Sequence, residues 1–385
     1  MTRHIYLDNN ATTALHPEAL EAMLPFFSEQ FGNPSSIHWA GRRVKSAVEE
    51  AREQVASLIG CEASEVVFTS CATESNNMAI KGVAAARHAR GNHIVTTTVE
   101  HPAVLTPCLY LEHQGFQVTT LDVDEQGMLD LNALEAAITD ATILVSAMYA
   151  NNETGTIFPV REIGELAAGK GICFHCDAVQ AVGKIPLHWK ESNIHLLSLS
   201  GHKLQGPKGI GALIIRKGTK VFPLLHGGSQ ERNRRAGTEN VAGIVGLGKA
   251  CEIAERSMTT ESLRIQALRD RLEQGIIAKI PGVRLNGHPL KRLPNTVNLS
   301  FLDVKSDSLL FNLDLAGIAA SSGSACSSGA IKSSHVLRAM GVGSGAPVAN
   351  IRFSLGSGNS EQDVADVLKV LPGIVQRLRD TSAVT

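Results

Sequence analysis

A lysine directly follows an apolar run in the segment SLSGHKLQGPKGIGA, residues 198–212. Lys203 stands there between Gly201 and Gly206, and the active sites of α/β folds gather beyond the carboxyl ends of such strands. Desolvation at that position lowers the pKa of a lysine and allows it to form a Schiff base with a carbonyl cofactor. The competing interpretation is an ordinary solvated loop lysine.

The glycines of this turn match neither of the common phosphate-binding patterns. G-x-x-x-x-G-K-[S/T] fails because Pro207 separates Gly206 from Lys208, and a glycine follows that lysine. No G-x-G-x-x-G follows a strand, so the sequence does not support a dinucleotide-binding fold.

If the carbonyl cofactor is pyridoxal phosphate, three further groups are needed. They are a carboxylate for the pyridinium nitrogen, a helix N-terminus for the phosphate and a flat group over the ring. Asp177 ends the strand-like ICFHCDA, Thr73 opens a helix in TSCATESNN, and His101 lies at a further strand-to-helix junction. Each also has a plainer interpretation: a turn aspartate, an N-cap threonine or a structural histidine.

Cys326 lies in a segment with almost no side chains to pack, AASSGSACSSGAIKSSH, residues 319–335. Such a thiol is either passive or a nucleophile that has to move, because few anchoring side chains keep the cost of local opening low. Cys173 and Cys176 form C-x-x-C within a strand, where residues three apart face opposite sides, so they cannot share a metal ion. Seven scattered cysteines indicate reduced thiols.

Strand-like and helix-like stretches alternate from residue 42 to about residue 217, and they form the framework that must position these residues. The apolar runs are EVVFTS (65–70), HIVTTT (93–98), QVTTLDV (117–123), TILVSAM (142–148), ICFHCDA (172–178), HLLSLS (195–200) and GIGALIIR (209–216). Apolar strands joined by helical crossovers predict an α/β fold with a mostly parallel sheet that is covered on both faces.

The composition changes near residues 257–262, and a different order of elements follows. A helical stretch leads to the strand-like NTVNLSFLDV (295–304), and IRFSL (351–355) precedes a final helix. Ser360 and Asp363 suit the N-terminal cap of that helix. This order predicts a second, smaller α+β domain.

Composition excludes several classes of protein. The chain has 385 residues, is 43% hydrophobic and carries a formal net charge of −1, so no charge imbalance favours nucleic acid or an anionic membrane. No apolar run approaches the roughly 20 residues of a membrane span. The start, MTRHIYLDNNATT, lacks a signal-peptide segment, so we expect a cytoplasmic protein.

The chain resembles the cysteine desulfurases of the NifS/IscS type, which are fold-type-I pyridoxal-phosphate (PLP)-dependent enzymes grouped with the class V aminotransferases. The resemblance extends from YLDNNATT (6–13) to IRFSLG (351–356), through FTSCATES, EHPAV, NNETG, HCDAVQAVGK, LSLSGHKLQGPKGIG, RRAGTEN, SSGSACSSG and SHVLRAM. It implies a large domain, residues 14–257, with a mostly parallel seven-stranded sheet. Residues 1–13 and 258–385 would form the small α+β domain that carries the cysteine segment.

The resemblance also implies roles for residues around the cofactor ring. Lys203 would be the Schiff-base lysine and later the proton carrier, and Asp177 would pair with the pyridinium nitrogen. Gln180 would contact the ring hydroxyl, and His101 would stack on the ring.

Further residues would hold the phosphate and the substrate. The phosphate ligands implied are Ala72, Thr73, Ser200, His202 and, from the other subunit of a homodimer, Thr238. Asn152 and Arg352 would hold the substrate carboxylate, for which a bidentate guanidinium is better suited than a lysine.

The implied reaction transfers sulfur from L-cysteine to the Cys326 thiolate, which leaves alanine and an enzyme persulfide. His101 is a candidate for the base that deprotonates the thiol. The sulfur would pass to an iron–sulfur scaffold protein or another acceptor for cluster assembly, with nitrogenase as a dedicated case. No stable metal site is implied, only a transient contact of Cys326 with a cluster on a partner. The alternatives are a selenocysteine lyase, another class V enzyme, or a non-catalytic sulfur acceptor on the same fold.

Overall fold

The structure is a computed structural model that describes residues 4–322, 334–342 and 348–382. Cys326 lies outside the described residues. The strands are β1 Ile5–Tyr6, β2 Val66–Thr69, β3 His93–Thr97, β4 Gln117–Leu121, β5 Thr142–Met148, β6 Cys173–Asp177, β7 Leu196–Ser200, β8 Gly211–Ile215, β9 Val283–Asn286, β10 Thr296–Leu302, β11 Ile318–Ala319 and β12 Val348–Ser354. The helices are α1 Pro17–Met23, α2 Pro25–Ser28, α3 Trp39–Ile59, α4 Ala72–Arg87, α5 Pro102–Glu112, α6 Leu131–Ala137, α7 Val160–Gly169, α8 Gln230–Asn233, α9 Val241–Lys279, α10 Ser306–Leu315, α11 His335–Ala339 and α12 Glu361–Ser382.

The main sheet has seven strands in the order β2-β8-β7-β6-β5-β3-β4. β8 runs antiparallel to β2 and β7, and the other neighbouring pairs are parallel. Both faces are covered, since Leu197 of β7 belongs to one apolar cluster and its neighbour Leu196 to another. The predicted α/β fold with a mostly parallel seven-stranded sheet is confirmed.

A second sheet, antiparallel and of order β12-β10-β9, forms beside a separate core. Phe301 and Phe353 are fully buried there, and Ile5 and Leu7 join the same cluster, as expected if the first residues belong with the small domain. Asp363 N donates to Ser360 Oγ and Ser360 N to Asp363 Oδ2, which is the predicted cap of α12.

One long helix crosses the predicted domain boundary. α9 runs without a break from Val241 to Lys279, so the change of composition near residues 257–262 falls inside a helix rather than in a linker. The division at residue 257 therefore stays a prediction. Within the described ranges, no helix combines the length and apolar character needed to cross a membrane.

A buried histidine in β6 gives the fold a defined sensitivity to acid. His175 Nδ1 lies 2.8 Å from Ser146 Oγ on β5, and Nε2 lies 3.0 Å from Ser198 Oγ on β7. Burial lowers the pKa of His175 to about 3, so the folded ring stays neutral while the unfolded chain binds a proton below about pH 6.5. The free energy of unfolding should therefore fall as the pH drops through this range, by about 1.4 kcal/mol per pH unit from this residue.

Denaturant unfolding at a series of pH values below neutrality measures this contribution. In His175→Asn, the slope of the free energy of unfolding against pH should be smaller than in wild type by about 1.4 kcal/mol per pH unit. The exposed His188→Asn serves as the matched control and should keep the wild-type slope. An unchanged slope in His175→Asn would show that the buried ring is not the source of the acid sensitivity.

Candidate active site

Lys203 is held by the segment that follows β1. β7 ends at Ser200, and the single helical turn Gly201–Lys203 comes next. The Lys203 Nζ donates to the carbonyl oxygens of Asn10 and Ala11, at 2.6 and 2.7 Å. The amine is thus fixed beyond the carboxyl end of a central strand, as the sequence predicts, although its carbonyl acceptors were not foreseen.

Asp177 ends the neighbouring strand β6, beside Ser198 of β7. Its side chain is buried, and its two oxygens accept from Asn76 Nδ2 at 2.7 Å and from the Val179 amide at 3.1 Å. These donors come from α4 and from the turn after β6, so they fix the orientation of the carboxylate. A buried, oriented carboxylate is what a pyridinium nitrogen requires.

His101 caps the N-terminus of α5. Its Nδ1 accepts from the Ala103 amide at 3.0 Å, which leaves the proton of the neutral ring on Nε2. Burial lowers the pKa of His101 and Lys203 lowers it further, while Asp177 acts in the opposite direction. A neutral ring suits stacking, but in this tautomer Nε2 is a proton donor rather than a base.

The N-terminus of α4 presents backbone amides to an anion. Its N-cap, Cys71, makes no side-chain cap hydrogen bond, so the amides around Ala72 and Thr73 are not satisfied by that residue. A Cβ on Gly211 would come within 2.9 Å of the Cys71 carbonyl carbon, so only glycine lets β8 pass so close to this helix start. The donors and the close approach fit a phosphate group.

Ser200 and His202 flank this region at the end of β7. Ser200 is buried and pairs in register with Gly211. His202 Nδ1 lies 3.1 Å from Thr12 Oγ1, and burial together with Lys203 lowers the pKa of His202 to about 4. His202 is therefore a neutral hydrogen-bonding group at neutral pH.

Arg352 and Asn152 meet at the junction of the two cores. Arg352, on β12, donates from Nη1 to the Asn152 carbonyl at 2.9 Å and from Nη2 to Asp8 Oδ1 at 2.7 Å. The guanidinium is almost fully buried, and its Nε has no hydrogen-bond partner among the described residues. The Asp8 carboxylate, which was not predicted, orients this arginine.

Asn10 connects these groups, and sequence reasoning missed it. Its carbonyl accepts from Lys203 and, at 3.0 Å, from Gln180 Nε2, while its Nδ2 donates to the Asn152 carbonyl at 3.1 Å. The lysine, the glutamine and the arginine–asparagine pair therefore surround one residue. The motif YLDNNATT contained Asn10, but nothing in its spacing assigned it a contact.

Glu100 is a second residue that was missed. Its Oε1 accepts from Thr97 Oγ1 and the Met148 amide, whereas Oε2 is buried without a partner among the described residues. Burial raises the pKa of Glu100 to about 8, helped by the negative Asp177. A carboxylic acid that stays protonated near neutral pH thus lies directly before His101.

Two predicted residues are not joined to this cluster within one chain. Thr238 is exposed and lines a cavity of about 210 Å³ with Ser70, Arg235 and Asn240. Its predicted role is toward the site of another subunit, so this position neither supports nor opposes the role. Cys326 is outside the described residues.

Comparison with known proteins identifies the family. The profile of the family described as aminotransferase class-V matches residues 5–367. A "Cysteine desulfurase 2" of Trichormus variabilis is 55% identical over 98% of this chain and 94% of its own length. A "Cysteine desulfurase IscS" of Methanosarcina thermophila is 53% identical over 99% of this chain and 94% of its own length.

Solved structures agree with these sequence relatives. A "NifS-like protein" superimposes with a TM-score of 0.92 at 40% identity, covering 98% of this chain and all of the other. A structure described as SspA in complex with cysteine gives a TM-score of 0.81 at 37% identity, over 91% and 98% of the two chains. With its lysine, its glutamine and its arginine–asparagine pair brought together around Asn10, the chain belongs to the cysteine desulfurases of the class V aminotransferase family.

Proposed function

We propose that the protein is a cytoplasmic, homodimeric, pyridoxal-phosphate-dependent cysteine desulfurase that supplies persulfide sulfur for iron–sulfur cluster assembly. The observation that carries the proposal is the convergence on Asn10. An amine for a carbonyl cofactor, the Gln180 amide for a ring oxygen and, through Asn152, a guanidinium for a substrate carboxylate lie around one residue. Neither a sulfur acceptor without activity nor a scaffold needs this combination.

The donor set of this chain fits pyridoxal phosphate. Lys203 would hold its aldehyde carbon, Asp177 its ring nitrogen and Gln180 its ring oxygen, with His101 over the ring. The phosphate would bind at the α4 N-terminus, Ser200, His202 and the partner's Thr238. When bound, the cofactor supplies an electron sink for the bonds at the substrate Cα.

The protein's own groups would then carry out the sulfur transfer. Arg352 and Asn152 bind the carboxylate of L-cysteine, and Lys203 takes the Cα proton and returns a proton to carbon. The Cys326 thiolate attacks the substrate sulfur: the C–S bond breaks, an S–S bond forms, and the carbon leaves as the methyl group of alanine. Overall, L-cysteine and one thiol give alanine and one persulfide, so no outside oxidant or reductant is needed.

The residues that flank the cysteine segment support this assignment. The Arg352 amide donates to the Ser321 carbonyl at 2.6 Å, and Ser334 Oγ donates to Glu153 Oε2 at 2.6 Å. Both anchors adjoin the predicted carboxylate-binding pair, Arg352 and Asn152. The described residues on both sides of the cysteine segment therefore lie beside the predicted substrate site.

A homodimer is supported by large apolar side chains exposed between α1 and the start of α3. Those more than half exposed are Leu24, Phe27, Phe31, Ile37 and Trp39. A patch of this kind is typical of a protein–protein interface. It borders Thr238, because Phe27, Phe31 and Thr238 line a common cavity. A second copy seated there would bring each Thr238 to the partner.

Mass spectrometry after exposure to L-cysteine tests the proposal. The purified, pyridoxal-phosphate-loaded protein should gain the mass of one sulfur atom on Cys326 and release alanine. Cys326→Ala should abolish both the added mass and alanine release under reducing conditions. Cys61→Ala is the control: burial raises the pKa of that thiol to about 12, so it supplies no thiolate, and the variant should match wild type. Full alanine release from Cys326→Ala would refute the mechanism.

A further inference from the structure

A second lysine belongs to the network that holds Lys203. Lys184 follows β6 on a helical turn in which the Val182 amide donates to the Ala178 carbonyl and the Ile185 amide to the Ala181 carbonyl. Gln180 and Lys184 are four residues apart, so their side chains lie on one side of this turn. The Lys184 Nζ donates to Gln180 Oε1 at 2.7 Å and to Asn10 Oδ1 at 3.2 Å.

The surroundings of Lys184 are positive rather than negative. Burial lowers the pKa of Lys184 well below its ordinary value, and the charges of Lys203 and Arg352 lower it further. The Lys184 amine can only donate here, and Gln180 and Asn10 supply two acceptors. The contacts of Lys184 are therefore those of a hydrogen-bond donor and not those of an ion-pair partner.

The two neighbours of Gln180 fix which way its amide points. Oε1 accepts from Lys184, and Nε2 donates at 3.0 Å to the Asn10 carbonyl, which also receives Lys203. Rotating the amide by half a turn would set its carbonyl against the Asn10 carbonyl, so that two acceptors would face each other. The hydrogen-bond network thus assigns the NH2 group to the side where Lys203 lies.

The side-chain amide of Asn10 is also fixed, so that its Oδ1 is the atom that faces Lys184. Asn10 Oδ1 accepts from Asn295 Nδ2 at 2.9 Å, and its Nδ2 donates to Thr296 Oγ1 at 2.8 Å. Asn10, Asn295 and Thr296 are all buried. Lys184 is the donor that completes this arrangement on the Gln180 side.

We propose that Lys184 is a positioning residue that acts through Gln180, holding its Oε1 so that its NH2 group donates to the ring oxygen of pyridoxal phosphate. This inference rests on the proposed function, because the contact of Gln180 with the cofactor belongs to that proposal. The additional point is that the Lys184 donor sets the strength of the contact between Gln180 and the ring oxygen. Without it, the Asn10 carbonyl alone orients the Gln180 amide, so the amide is held less firmly and its contact with the ring oxygen weakens.

A double-mutant cycle on cofactor binding tests this role. The dissociation constant of pyridoxal phosphate is measured by equilibrium dialysis for the cofactor-free forms of wild type, Lys184→Met, Gln180→Ala and the double variant. Lys184→Met should weaken binding by about tenfold, the equivalent of one hydrogen bond. In the Gln180→Ala background the same change should alter binding by less than about twofold, because the group through which Lys184 acts is gone.

A substitution of an exposed lysine serves as the control for cofactor binding. Lys190→Met, an exposed lysine six residues further on, should bind the cofactor like wild type. Lys184→Leu, which likewise has no hydrogen-bond donor, completes the cycle if the methionine variant does not fold. Equal losses in both backgrounds would overturn the role of Lys184, since they would indicate a general structural effect. A wild-type protein that does not bind pyridoxal phosphate would instead overturn the proposed function.

Discussion

Lys203→Ala is expected to lower the turnover of L-cysteine by about 10³-fold or more, because one side chain both attaches the cofactor and moves the substrate proton. The amine is held by two backbone carbonyls, at 2.6 and 2.7 Å. Lys184, the second lysine of this network, donates instead to the side chains of Gln180 and Asn10. It is therefore not positioned to take over both tasks of Lys203.

Borohydride treatment and steady-state assays measure this effect. Reduction of the pyridoxal-phosphate-loaded protein should fix the cofactor to the peptide that contains Lys203 in wild type and to no peptide in Lys203→Ala. Lys208→Ala removes an exposed lysine from the same loop and should retain both labelling and turnover. A borohydride-stable adduct in Lys203→Ala would show that another lysine binds the cofactor.

Glu231→Ala is expected to lower the free energy of unfolding by about 3–5 kcal/mol, because it removes the buried counter-charge of Arg52 and leaves only the half-exposed Glu49, 3.3 Å away. Glu231 accepts from Arg52 Nη1 and Nη2 at 2.8 and 2.7 Å, and from the Phe68 amide at 2.9 Å. Both side chains are at least 95% buried. The Arg52 guanidinium also lies over the Phe68 ring, 4.7 Å from its centroid.

The same carboxylate holds an unfavourable backbone turn. Glu231, Arg232 and Asn233 have φ values of 45°, 57° and 62°, a left-handed stretch that contains no glycine. Such residues persist only where surrounding contacts determine them. Here the Glu231 side chain supplies the buried contacts, and Arg232 and Arg234 donate to the Ser64 carbonyl at the surface. The turn leads to Arg235, which pairs with Glu74 on α4, and then to Thr238. Loss of Glu231 should therefore also displace the predicted cross-subunit phosphate ligand.

Chemical denaturation of the cofactor-free protein measures the stability effect without any contribution from ligand. Glu165→Ala is the control, since Glu165 pairs with Arg161 on the exposed face of α7 and should contribute less than about 0.5 kcal/mol. If Glu231→Ala and Glu165→Ala had equal effects, the buried pair would not be the main support of this turn.

The residues that could be predicted from the sequence are those that come directly after a strand. Lys203 and Asp177 come directly after apolar runs, and the carboxyl ends of neighbouring parallel strands meet at one edge of a sheet. His101 and Thr73 were predictable for the same reason, at strand-to-helix junctions. The mostly parallel sheet also followed from the alternation of apolar stretches with helices, and the cap of α12 followed from Ser360 and Asp363.

Contacts made through backbone carbonyls were not predictable in this way. Asn10 is 193 residues from Lys203 along the chain, and every residue type carries the carbonyl that receives the lysine. Lys184 is the last residue of the motif HCDAVQAVGK. A lysine near a strand end, however, does not indicate that its acceptor is a glutamine four residues earlier. Glu100 resembles a surface residue by type, and only burial reveals that it stays protonated.

Asn10 also determines when this site can come into existence during synthesis. Its amide donates to Ser354 Oγ, 344 residues away, while its carbonyl holds Lys203. At about 5–20 residues per second, a ribosome would need tens of seconds to synthesise the chain between Asn10 and Ser354. A nascent chain that has already folded its large sheet still lacks β12, whose Ser354 holds the segment that follows β1. The reactive amine therefore gains its final surroundings late, so cofactor capture should follow translation rather than accompany it.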